Sequence, residues 1–95
     1  MSESESLKEL DDLIESTLLM RSPDYKERFR AEHMQVKIRA DRLERMLDRW
    51  AIGELQFEPT CPRFLLMRQL RVMREYQEVL EDRAKIEGVS LAKHE

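Results

Sequence analysis

The residues best equipped for chemistry in this chain are cationic and aromatic. Tyr25 and Lys26 stand side by side just after a Ser-Pro-Asp sequence, and Arg63, Arg68, Arg71 and Arg74 recur through a glycine-free stretch further on. An aromatic ring stacks on a base, and arginine or lysine meets phosphate through charge-assisted hydrogen bonds, so these groups suit a compact multi-phosphate ligand. At a helix start, Tyr25 and Lys26 also have the positive end of the helix dipole behind them. The plain alternative for Tyr25 is an aromatic that ends a helical core with its hydroxyl at the surface, and both readings stand. Catalytic groups are harder to find. The sequence has no GxGxxG, Walker loop, HExxH, CxxC or GxSxG. Cys61 precedes Pro62 with no base in view, which fits a capping or buried thiol better than a nucleophile. His33 falls on an apolar seam and His94 in the C-terminal tail, so no metal-ligand spacing is present. The expectation is a binding protein, not an enzyme, with no cofactor.

Two long helices must position these residues. Ser22 as cap, Pro23 in the first turn and Asp24 at the positive dipole end predict a helix start. From there Tyr25, Phe29, His33, Val36, Ala40, Leu43, Leu47 and Trp50 follow steps of three and four, a sustained seam that Gly53 can end. The loop ELQFEPTCP follows, with Phe57 expected to pin it to the hairpin end. Pro62 then starts a second helix capped by Thr60 or Cys61, and Gly88 stops it. A loop this short makes the two helices antiparallel neighbours of about 37 Å each. The second helix carries two apolar stripes, Leu66, Leu70, Met73, Leu80 and Ala84 beside Leu65, Val72, Tyr76, Val79 and Ile86. That face is wider than one partner helix needs, which predicts contact with another copy of the chain. Ahead of the hairpin, Leu7, Leu10, Ile14 and Leu18 predict a short amphipathic helix, an arm on the main body whose serine-glutamate start frays. The fold class is therefore all-α: an N-terminal arm over 1–21, a hairpin over 22–89 and a tail over 90–95.

Composition agrees. The chain has 95 residues, 39% of them charged, with two glycines and three prolines. Such a composition belongs to long helices and not to sheets, and the length is near the limit at which one chain buries enough apolar surface to be stable alone. One cysteine makes no internal disulfide, and no apolar run is long enough for a signal peptide or membrane span, so a soluble, cytoplasmic protein is expected. Both ends are acidic, while residues 24–74 hold twelve Lys or Arg against eight Asp or Glu. This modest excess argues against a nucleic-acid polymer, which calls for a strongly basic surface. Many of these charges read as solvated helix faces with pairs such as Asp41 with Arg45.

The strings DYKERFRAEHMQVKIRADRLERML and GELQFEPTCPRFLLMRQLRVMREYQEVLEDRAKIEGV, over about residues 24 to 89, resemble a family of small proteins from phages and prophages of gut bacteria, named after a crAss-like phage protein. The likeness lies in the YKERF opening, the KIR run, the FEPTCP loop and the closing RAKIEG. That family looks like a relative of the Acb/Tad hairpin of anti-CBASS and anti-Thoeris sponges, which sequester cyclic oligonucleotide signals as hexamers without cleaving them. The resemblance implies a ligand-binding tyrosine at Tyr25 with Lys26 beside it, a lysine position near Lys37 or Arg39, and a second pocket using Arg68 with Gln69. Here GlnValLysIleArg stands where the sponge has an AsnxIleLys-like run. Implied partners are cyclic di- or trinucleotides and further copies of the chain, up to a hexamer. The rival expectation is a protein-binding inhibitor acting through helix surfaces, an anti-CRISPR-like protein or a host-enzyme modulator. A third is a coiled-coil protein without a ligand.

Overall fold

The computed structural model describes residues 3–92, with side chains from residue 6 onward. His94 and the first residues of the serine-glutamate start lie outside the described residues. Three helices, α1 (Glu3–Leu19), α2 (Tyr25–Ala51) and α3 (Arg63–Glu87), make up the fold, and no strand occurs among the described residues. The arm is helical already at Glu3, where the sequence suggests fraying.

Helix α2 begins two residues later than the sequence suggests. Its cap is Asp24, whose carboxylate accepts the Lys26 N–H at 2.9 Å. Ser22 instead builds the approach: its hydroxyl accepts the Asp24 N–H and donates to Glu27 at 2.5 Å. The chain leaves α2 through Gly53, and α3 ends on Gly88 at φ 71, a left-handed geometry that glycine adopts without a Cβ penalty. At the start of α3, Pro62 occupies the cap position with no side-chain bond, so neither Thr60 nor Cys61 caps. The backbone does that work, with the Pro62 carbonyl accepting from Leu65 and Leu66 at 3.1 and 3.3 Å. Phe57 does not pin the loop: it is 59% exposed, while Leu55 and Pro59 on either side are the half-buried positions.

Helix α2 lies between the other two, and α1 and α3 do not touch among the described residues. Contacts from α2 to α3 run antiparallel: Tyr25 meets Glu87, His33 meets Glu81, and Glu44 meets Arg74. Contacts to α1 use another stripe of α2, with Gln35 donating to Ser16 at 3.0 Å and Arg45 to Glu9 at 2.5 Å. Ala31 and Ile38, buried, continue that stripe. The packing face of α1 is therefore the side of Glu9, Asp12, Leu13, Ser16 and Leu19, with Ser16 fully buried at its centre. The apolar stripe Leu7, Leu10, Ile14 and Leu18 is turned to solvent, opposite to what amphipathicity alone suggests. Ser16 lets the two backbones approach, and Gln35 and Arg45 offer α1 polar partners in place of an apolar groove.

The core is small: Phe29, Leu80, Ala84 and Val89, joined by half-buried Val36 and Leu91 from the tail. The accessible surface is 6991 Å². A compact monomer of this mass exposes about 5,800 Å², so roughly 1,200 Å² is in excess. Single-layer packing is the cause, since a helix with neighbours on two sides leaves both broad faces open. Because Leu80 is fully enclosed, Leu80→Ala should cost about 3 kcal/mol in urea unfolding, whereas Phe57→Ala should change stability by no more than about 0.5 kcal/mol.

Candidate functional site

Four concave regions and one aromatic cluster receive the residues singled out by the sequence, Arg63, Arg71 and Arg74 lining a groove of about 470 Å³ with Glu44 and Asp48. At the start of α2 the Tyr25 hydroxyl donates to Glu87 at 2.6 Å and accepts from Arg83 at 2.8 Å. The Arg83 guanidinium lies 4.8 Å from the centre of the Phe29 ring, and the Tyr25 and Phe29 rings are 6.0 Å apart. Bonding to Glu87 raises the Tyr25 phenol above its ordinary value, and the same bond lowers the Glu87 carboxyl. Tyr25 thus stands at the end of the core with its ring 40% exposed, an arrangement that both readings of this residue share. Lys26 beside it is exposed.

A cleft of about 550 Å³ lies among α1, α2 and the tail. Lys37 lines it, together with Lys8, Arg30, Asp12, Glu15 and Glu27, so cations and carboxylates balance. Lys37 itself is bound to Asp41 at 2.9 Å and Arg30 lies 3.9 Å from Glu27. An anion entering here would have to displace those partners.

A second groove, about 510 Å³, is formed by Met20, Arg28, Glu32, Gln35, Val36 and Arg39 with Tyr76 from α3. Arg28, Glu32, Gln35 and Arg39 follow steps of four, three and four, which puts them on one side of α2. Arg28 and Arg39 are about 16 Å apart along the axis at 1.5 Å per residue, with Val36 between them. Arg28 donates to the Ser22 carbonyl at 2.8 Å, which fixes its reach. Arg39 has no hydrogen-bond or ion-pair partner among the described residues. The Tyr76 hydroxyl donates to Glu32, holding a ring that is 42% exposed in the same groove. Two cations against one carboxylate leave this groove net positive, and its size falls in the range of small-molecule sites. Arg28, Met20 and Tyr76 are absent from the sequence-derived set. The spacing from Arg28 to Arg39 was visible in the chain, but the approach of Tyr76 depends on the register of α3.

Arg68 and Gln69 lie elsewhere, in a shallow region of about 290 Å³ with Cys61, Leu65 and Val72. Gln69 contacts the Met73 sulfur at 3.8 Å. Along the antiparallel hairpin, Arg68 is roughly 30 Å from the level of Tyr25. Within one chain, therefore, Tyr25 with Lys26, Lys37, Arg39, and Arg68 with Gln69 occupy four separate places. His33 sits beside Glu81 at 2.9 Å, and among the described residues no three His, Cys, Asp or Glu side chains gather as metal ligands would. No described helix is long and apolar enough to cross a membrane.

The expected Asp41–Arg45 pair is replaced by bonds between helices. Asp41 meets Lys37 and, across the hairpin, Arg74 at 2.9 Å, while Arg45 reaches α1. Burial pushes the Asp41 carboxyl up, but hydrogen bonds from Lys37 and Arg74 outweigh it and the net shift is downward. A hydrogen bond from His33 likewise lowers Glu81.

The fold and grooves define an all-α protein of three helices whose open surface joins arginine to an exposed tyrosine ring. The Sequestin family profile matches residues 23–86, more than half of the chain, and the protein belongs to that family. No curated protein and no solved structure matches it.

Since Asp41 and Glu81 are lowered by folding, the unfolded chain binds more protons in acid. Their contribution is complete above the ordinary carboxylate range and is lost as pH falls through the lowered values. Urea midpoints should therefore drop as pH goes from about 6 to about 3. Arg74→Ala should lower stability by up to about 1 kcal/mol near neutrality and flatten that acid limb.

Proposed function

We propose that this protein is a non-enzymatic sink for nucleotide-type immune signals, foremost cyclic di- or trinucleotides, acting as a phage anti-defence protein in the host cytoplasm. The observation that carries the reading is the net-positive groove lined by Arg28, Arg39 and the part-exposed ring of Tyr76, in which Arg39 has no partner among the described residues. Such a groove supplies a stacking face for a base and guanidinium forks for phosphates, the two needs of a compact phosphorylated ligand. The family name speaks of sequestration, and the resemblance to the Acb/Tad sponges supplies both the ligand class and assembly up to a hexamer. A sponge works by mass action and must hold its ligand tightly. Nanomolar affinity corresponds to about −12 kcal/mol, within reach of stacking plus several charge-assisted contacts. Chemistry on the ligand forms no part of this mechanism.

A second reading has its own support. The outward stripe Leu7, Leu10, Ile14 and Leu18, on a helix that also carries Asp11 and Glu15, suits a protein partner and favours an inhibitor that acts through its helix surface.

The test is thermal unfolding of the purified protein with a cyclic dinucleotide, a cyclic trinucleotide and a diphosphate-bridged adenosine ribose. A bound member at 100 times its dissociation constant adds about 2.7 kcal/mol of stability. Arg39→Ala and Tyr76→Ala should each weaken that binding about tenfold or more, with Lys26→Ala as a comparison outside the groove. No stabilisation by any member would sink the nucleotide reading and favour the protein-binding one.

A further inference from the structure

We propose that α3 pairs with α3 of a second copy of this chain, antiparallel, through a seam formed by Leu65, Val72, Val79 and Ile86. These four residues are spaced by seven, the repeat of a coiled-coil seam. All four are exposed, Val72 by 50% and Val79 by 54%, because α2 takes the neighbouring stripe that ends in buried Leu80 and Ala84. The surface excess over a compact monomer, roughly 1,200 Å², exceeds the roughly 800 Å² that each partner gives up in a stable interface.

Charge selects the direction. The exposed flank of α3 carries Arg68 and Arg71 in its first half, Glu75 at its middle, and Glu78, Asp82 and Lys85 in its second. A parallel pair would set the two arginine stretches against each other and the two Glu78–Asp82 stretches against each other. An antiparallel pair sets Arg68 and Arg71 of one copy against Asp82 and Glu78 of the other, four opposite-charge pairs over the dimer, against one like-charge meeting of the two Glu75 side chains at the axis. Centring the seam places the two-fold axis between Glu75 and Tyr76, so Val72 meets Val79 of the second copy and Leu65 meets Ile86. Tyr76 then stands beside the axis in both copies, and the two Arg39 grooves lie on either side of it. The pairing does not depend on what those grooves bind, because it rests on the seam and its flanking charges alone.

Cysteine cross-linking in a Cys61→Ser background reads the geometry directly. Tyr76→Cys lies at the axis and should give a disulfide-linked dimer under mild oxidation. Leu65→Cys should give none, since its two copies would be about 31 Å apart along the axis. Val79→Glu places an unpaired charge in the seam and should weaken self-association by about 100-fold or more, with the helical circular dichroism unchanged. Linking through Leu65→Cys would indicate a parallel pair and overturn the proposal. So would absence of linking through Tyr76→Cys, an unchanged mass for Val79→Glu in light scattering, or a wild-type protein that stays a single copy at tens of micromolar.

Discussion

The structure depends on one constraint: α2 must serve two neighbours that never meet each other. It does so with small residues at the contacts, Ala31 and Ala40 on α2, Ser16 on α1 and Ala84 on α3, all buried. Small side chains let backbones approach, but they bring little apolar area with them. Helix α2 is therefore held as much by polar clamps as by a core. Arg45 ties it to α1, while Arg74 ties Asp41 and Glu44 to α3. The enclosed apolar cluster is confined to the end where Phe29, Leu80, Ala84 and Val89 meet. With no second layer, the remaining apolar residues of α1 and α3 stay outside, and the clefts form on the two broad sides of α2.

This arrangement explains which parts of the fold were legible in the sequence. The long helices, their glycine stops and the two stripes of α3 follow from local periodicity and backbone chemistry, and they appear where the spacing puts them. The α1 packing face was not legible. A periodic pattern reports that a helix is amphipathic, but the face that docks is decided by what the neighbour offers, and α2 offers Gln35 and Arg45. Asp41 and Arg45 likewise do not pair with each other: Asp41 joins Lys37 on its own helix and Arg74 on α3, and Arg45 reaches Glu9 on α1. Phe57 and the two helix caps differ through finer details of loop direction, which composition does not encode.

The candidate site was legible only in part. Arg39 lies in the net-positive groove, but Tyr25 is spoken for by Glu87 and Arg83, and Lys37 by Asp41. The sequence marks helix starts and charged residues; it does not mark which of them folding will neutralise. Tyr76 reads in the sequence as part of an apolar stripe. Its bond to Glu32 and its closeness to Arg39 follow from the register of the hairpin, a property of two elements together. Arg39 is one of several cations without a hydrogen-bond or ion-pair partner among the described residues, and it lines the groove that Tyr76 enters.

The central claim is that the protein holds a nucleotide-type signal and leaves it intact. The most direct measurement incubates stoichiometric protein with cyclic di- and trinucleotides, separates free from bound ligand, then denatures the complex and quantifies what is released by chromatography. The account predicts that one of these ligands disappears from the free fraction in proportion to protein and returns chemically unchanged on denaturation. Recovery of a converted product, or a free fraction that never falls, would contradict it.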